Sequence, residues 1–143
     1  MPTPRNSAGL NLKACRVLIV DDDEDLRHAL GYLLRDAGYT VYEARDGHRA
    51  LERLRDSPGG MVVLLDVRMP GLDGVEVMRA VAAQEYLSTR HAYILMTADH
   101  EGLPPLFLTV LKELKVPVLA KPFDILRTLD IVSQAEQRLK RYQ

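Results

Sequence analysis

The chain has 143 residues, 47% of them hydrophobic and 27% charged, with a formal net charge of −1. That length fits one domain able to bury a core, and the near-neutral charge gives no global attraction to nucleic acid or an anionic membrane surface. The single cysteine excludes an intramolecular disulfide and a cysteine-based zinc site, and no apolar run reaches the length of a membrane span or a secretory core, so the cytoplasm is the expected compartment.

Residues 1–13 read as a flexible segment ahead of one domain over 14–143. The apolar run from Cys15 to Val20 predicts a strand buried on both faces, with Cys15 a small buried hydrophobe rather than a reactive thiol. It ends on Asp21-Asp22-Asp23. Asp23, just before Glu24-Asp25-Leu26, has the position of a helix N-cap. Leu26, Ala29, Leu30, Leu33, Leu34 and Ala37 then recur at helical spacing up to Gly38, read as the C-cap. Tyr39 to Ala44 predicts a second strand, its tyrosines serving packing. Ala50, Leu51 and Leu54 mark a shorter helix closed by Ser57-Pro58-Gly59-Gly60. A third strand, Met61 to Leu65, ends on Asp66.

Turn formers follow from Met69 to Gly74, and Val75, Met78, Val81 and Ala82 predict a third helix. Leu87 to His91 reads as a linker into a fourth strand, Ala92 to Met96, which ends on Thr97. After a loop from Ala98 to Leu103, Pro104-Pro105 opens a helix carrying Leu106, Phe107, Val110, Leu111 and Leu114. The fifth strand, Val116 to Ala120, ends on Lys121. Ile125, Leu126, Leu129, Val132, Ala135 and Leu139 predict the last helix, and Arg138-Leu139-Lys140-Arg141 places positive charge at its C-terminus.

Five strands alternating with five helices argue for an α/β fold with a parallel sheet covered on both faces. Such sheets bind ligands at the carboxyl ends of their strands. Taken singly, Asp66 is a turn residue, Thr97 a strand residue and Lys121 a solvated charge. Together with Asp21 and Asp22 they place carboxylates, a hydroxyl and an ammonium at one sheet edge. Crowded carboxylates either take up a proton or bind a cation, and oxygen-only ligands select Mg2+ or Mn2+. An aspartate there is a competent phosphoryl acceptor, and Lys121 and Thr97 suit the phosphoryl oxygens. His28, His48, His91 and His100 show no ligand spacing.

Four motifs occur in order: Val20-Asp21-Asp22-Asp23, Leu65-Asp66-Val67-Arg68-Met69-Pro70-Gly71-Leu72-Asp73-Gly74, Met96-Thr97-Ala98 and Ala120-Lys121-Pro122-Phe123. In combination they resemble the response-regulator receiver domain of two-component signalling in its single-domain form, over residues 15–140. The resemblance implies a flavodoxin-like fold with strand order 2-1-3-4-5. By position it makes Asp66 the phosphorylated residue and Asp21 and Asp22 the acidic pair, all three at the metal, with Asp22 the more direct ligand of the pair. It further implies the Arg68 backbone carbonyl as a ligand, Thr97 as the switch hydroxyl, Lys121 as the phosphate-binding lysine, and a cis bond at Lys121-Pro122. The implied partners are a histidine kinase or phosphotransfer protein, and a downstream protein that the sequence does not identify. Output would run through the face of the last two helices and the fifth strand. No catalysis on external substrates is expected, only self-phosphorylation and autodephosphorylation. Arg68 stands two residues after Asp66, where a metal-dependent phosphohydrolase superfamily has a second aspartate.

Two positions depart from the family pattern. Val118 occupies the place of the usual aromatic, three residues before the lysine, so an aromatic rotamer switch is excluded there. The loop after Thr97 is longer and more irregular. Both fall on the output face, and they favour the alternative reading of a receiver-like module that docks a partner regardless of phosphorylation.

Overall fold

The computed structural model describes residues 14–140. The lead-in at 1–13 and Arg141 lie outside the described residues.

Five strands form one parallel sheet: β1 (Arg16–Val20), β2 (Thr40–Ala44), β3 (Val62–Asp66), β4 (Ala92–Thr97) and β5 (Val118–Ala120), in the order β2-β1-β3-β4-β5. The helices are α1 (Glu24–Asp36), α2 (Gly47–Asp56), α3 (Gly74–Ala82), α4 (Glu85–Arg90), α5 (Pro105–Glu113) and α6 (Ile125–Lys140). This is the flavodoxin-like order expected.

Strand alternation divides the core between two faces. Leu18, Val20, Val63, Leu65, Tyr93 and Leu95 pack against α2, α3, α4 and α5 through residues such as Leu54, Met78, Leu87 and Phe107. Val17, Ile19, Val62, Leu64, Ile94, Met96 and Leu119 pack against α1 and α6 through Leu34, Ile131, Val132 and Ala135. Every residue of β3 is buried, which accounts for its unbroken apolar run before Asp66.

Local chemistry sets the element ends. The Asp23 side chain accepts from the Leu26 N–H at 3.2 Å, as its N-cap reading requires. The C-cap of α1 is Ala37 rather than Gly38, which follows it at φ 98°. There Gly38 N–H bonds the Arg35 carbonyl and Tyr39 N–H the Leu34 carbonyl, closing a Schellman motif that needs the left-handed residue one place later. β5 is shorter than the predicted strand. Val116 gives its N–H to the Leu111 carbonyl at the end of α5, and Pro117 has none to give. Burial pushes the Cys15 thiol up to about 12, consistent with a packing role.

The largest correction is α4. The segment read as a linker is a single helical stretch, so the described residues contain six helices. Leu87 is its one buried residue, the Ser88 and Thr89 hydroxyls bond the Glu85 carbonyl, and Arg90 stacks over Tyr86 at 5.1 Å. A helix with a single buried anchor has no apolar period to detect. His91, just beyond it, is buried. Its Nδ1 accepts from the Met61 N–H at 3.0 Å and its Nε2 faces the Leu54 carbonyl at 2.9 Å, which fixes the neutral Nε2–H tautomer. Burial holds its pKa below the ordinary histidine value.

Candidate functional site

Parity along the strands decides which polar residues meet. Asp21, Asp66 and Lys121 each stand two residues beyond an apolar residue of the α1/α6 face, namely Ile19, Leu64 and Leu119. The pairs Asp66↔Met96 and Met96↔Leu119 put β4 between Asp66 and the β5 end. Lys121 follows Ala120 and crosses that gap. Its Nζ lies 2.8 Å from Asp66 Oδ1 and 3.1 Å from Asp21 Oδ2. Carboxylate oxygens of Asp21, Asp22 and Asp66 lie within 4.8 Å of one another. The three acids, Arg68, Thr97 and Lys121 all line one cleft of about 320 Å³. The residues singled out in the sequence are therefore brought together.

Their environments differ. Asp21 and Asp66 are buried, at 1% and 5% exposure, whereas Asp22 is open to solvent. Asp21 is held from two sides: its Oδ1 accepts from the Asp23 N–H at 2.9 Å, and its carbonyl accepts from Arg27 at 2.8 Å. Arg27 also reaches Glu43 on β2 at 3.2 Å. Thr97 is buried, and its Oγ1 accepts from the Asp99 N–H at 3.0 Å. The Asp99 carboxylate accepts from Gly102 N–H at 2.9 Å and faces Arg68 at 3.8 Å across the cleft mouth.

The turn after Asp66 is built on a close approach. Gly74 donates its N–H to the Val67 carbonyl at 2.8 Å, and a Cβ at Gly74 would overlap the Asp66 carbonyl and the Val67 Cα. Asp73 caps α3 in a reciprocal capping box with Glu76. The Lys121-Pro122 bond is cis, as expected. Val118 is half-buried on the α5 side of β5.

A family model described as the response regulator receiver domain matches residues 17–133. The chain belongs to this family. It is 32% identical over 124 residues to sporulation initiation phosphotransferase F of Bacillus subtilis, covering 83% of this chain and 91% of that one. It is 34% identical over 119 residues to the transcriptional regulatory protein FixJ of Bradyrhizobium diazoefficiens, covering 83% of this chain and 55% of the relative. Among curated relatives that also include YrkP of Bacillus subtilis and DctD of Rhizobium meliloti, the chain spans 29%, 55% and 25% of YrkP, FixJ and DctD. Among solved structures, a CheY-like receiver domain protein from Methanospirillum hungatei superposes with a TM-score of 0.76 at 32% identity, covering 88% of this chain and 97% of that one.

Receiver domains generally bind Mg2+ and interact with histidine kinases or phosphotransfer proteins. Two features of this receiver fit such a cation. Its donors are hard carboxylate oxygens, and their mutual repulsion is incompletely offset. Burial pushes the Asp66 carboxyl above the ordinary carboxylate range; the Lys121 hydrogen bond opposes this, and repulsion from Asp21 and Asp22 adds to it. Burial alone would lower the Lys121 ammonium, but its bonds and attraction to Asp66 and Asp21 outweigh that and raise it. One ammonium, paired with Asp66 and Asp21, stands against three clustered carboxylates. Among the described residues no helix is long and apolar enough to cross a membrane.

Three residues of the receiver's site escaped the sequence reading. Arg27 carries no motif and contacts Asp21 through its backbone. Gly74 was read as a turn former, not as a contact of Asp66. Asp99 falls in the loop from Ala98 to Leu103, and its N–H bond to Thr97 depends on how that loop folds.

Proposed function

We propose that this receiver accepts a phosphoryl group on Asp66 from the phosphohistidine of a histidine kinase or phosphotransfer protein, in a Mg2+-dependent reaction, and acts as a free-standing switch. An Asp66 carboxylate oxygen attacks phosphorus as the phosphorus–nitrogen bond of the donor breaks. An acyl phosphate forms, and the histidine nitrogen leaves with the bonding pair and takes a proton. Asp21, Asp22, Asp66 and the Arg68 backbone carbonyl would hold the metal. When bound, it supplies positive charge that offsets the acids and the phosphoryl oxygens. Lys121 stabilises one phosphoryl oxygen as a compact point charge. The Thr97 hydroxyl, which accepts from Asp99, still has its own proton to donate to another. No external substrate is turned over.

The observation that carries this reading is Lys121 bridging Asp66 and Asp21 beside Asp22 in one cleft. The free-standing form is supported by the similarity to the sporulation phosphotransferase, of which this chain spans 91%. Incubation with acetyl phosphate and Mg2+ tests it. An adduct of about 80 Da, absent in Asp66→Ala and after chelation, is expected; an inert chain overturns it. A phosphorylation-independent docking module is the second reading, and Val118 in place of an aromatic is the observation that favours it.

A further inference from the structure

We propose that the cleft between the C-terminal ends of α5 and α6 and the start of β4 is a binding site for a small organic monocarboxylate. It lies where β4 begins, at the sheet edge opposite the acidic cleft, and is independent of chemistry at Asp66. Its volume is about 400 Å³, within the range of small-molecule sites. Tyr93, Leu114 and Leu139 supply apolar lining, and Lys115, Arg138 and Glu113 supply charge.

Three observations point to an anion. First, neither Lys115 nor Arg138 makes an ion pair with a described residue, whereas Arg27, Arg35, Arg49 and Lys121 all do. Arg138 is half-buried, and burial holds its guanidinium below the usual range. Second, Arg138 is pre-positioned. Its Nη1 donates to the Lys115 carbonyl at 2.6 Å, while its Nε is buried without a hydrogen-bond partner among the described residues. A bidentate carboxylate would engage the remaining edge of the fork after a small rotation of the guanidinium. Third, Lys115 has φ 56°, the only non-glycine residue with positive φ among those described. It stands just past the α5 C-cap, where glycine is the unstrained choice. Lys115 is also among the residues that line the same cleft, which adds a second cationic residue to it.

Charge balance selects the class of ligand. Two cations against Glu113 leave one net positive charge, which suits a monoanion better than a phosphate dianion. The apolar lining suits a short hydrocarbon or aromatic body. The Ser88 and Thr89 hydroxyls at the rim are already committed to the Glu85 carbonyl, so they do not add a polyol subsite.

The test is a titration of the 15N-labelled full chain with 3-phenylpropionate, followed by amide chemical shifts, and a parallel titration with neutral 3-phenylpropanamide. Saturable shifts at Tyr93, Leu114, Lys115 and Leu139 are expected for the acid, with the amide about tenfold weaker or worse. Arg138→Met, which keeps the apolar stem, and Lys115→Gly are each expected to weaken the acid about tenfold. Lys115→Gly removes the ammonium while relieving the left-handed backbone, so its loss of binding is not a loss of fold. No saturable shift, equal affinity for acid and amide, unchanged affinity in Lys115→Gly, or shifts confined to the acidic cleft around Lys121 would each overturn the proposal.

Discussion

The Lys121 ammonium lies 2.8 Å from Asp66 Oδ1, reaching past β4 from the end of one strand to the end of another. It also holds Asp21 at 3.1 Å, so one cation organises two buried acids. Lys121→Met leaves both without their counter-charge. We expect a loss of about 1–2 kcal/mol at neutral pH, since the ammonium is partly exposed and the full buried-pair cost does not apply. Urea unfolding of the two proteins in chelator measures it.

Asp66→Asn has the opposite sign. The folded-state pKa of Asp66 is raised, so ionising it disfavours the native state. That penalty is absent below the unfolded aspartate value near 3.9 and fully developed above the folded one. The variant is expected to be more stable than the parent in metal-free buffer at pH 7, with the gap closing as pH falls toward 4. A gap that widens on acidification refutes the assignment.

Magnesium should stabilise the receiver by mass action. At ten times its dissociation constant the gain is about 1.4 kcal/mol, and chelation should reverse it. Asp22 is the exposed acid of the cluster, so Asp22→Ala is expected to remove most of that gain with little change in the metal-free midpoint. Thermal melts across a magnesium series test both halves.

These expectations rest on residues the sequence made legible, and the reasons are physical. Four of the five strands are apolar runs ending on a polar residue, and a period of two then fixes which of those residues share a face. Asp21, Asp66 and Lys121 follow from that alone. Arg27 does not, because it reaches the Asp21 carbonyl, a group that every residue carries. Nor does α4, whose only apolar anchor is Leu87. His91 was the hidden case: a histidine without ligand spacing, read in a linker, is a buried bridge between α2 and β3.

His91 therefore yields its own prediction. His91→Ala strands the Met61 N–H and the Leu54 carbonyl and opens a cavity, for an expected loss of about 2–4 kcal/mol. Its folded pKa is lowered, so its contribution is complete above the unfolded value near 6.5 and is lost as pH falls below that toward the folded pKa. Denaturation midpoints of parent and variant should converge on acidification through this range.

Gly74→Ala tests the turn behind Asp66. A methyl there meets backbone, not a yielding side chain, so an expected cost of about 2–3 kcal/mol should accompany slower adduct formation with acetyl phosphate. Unchanged stability would mean that the α3 start has slack the close approach denies it.

Because β3 is enclosed on both sides, Asp66 is mounted on a fully buried strand, whereas Thr97 stands at the threshold between a buried strand and a loop tied down by Asp99. The carboxylate is the anvil and the hydroxyl the hinge. A displacement caused by a group arriving at the acid is therefore expected on the far bank of the cleft, in residues 98–103, rather than as a tilt of the sheet.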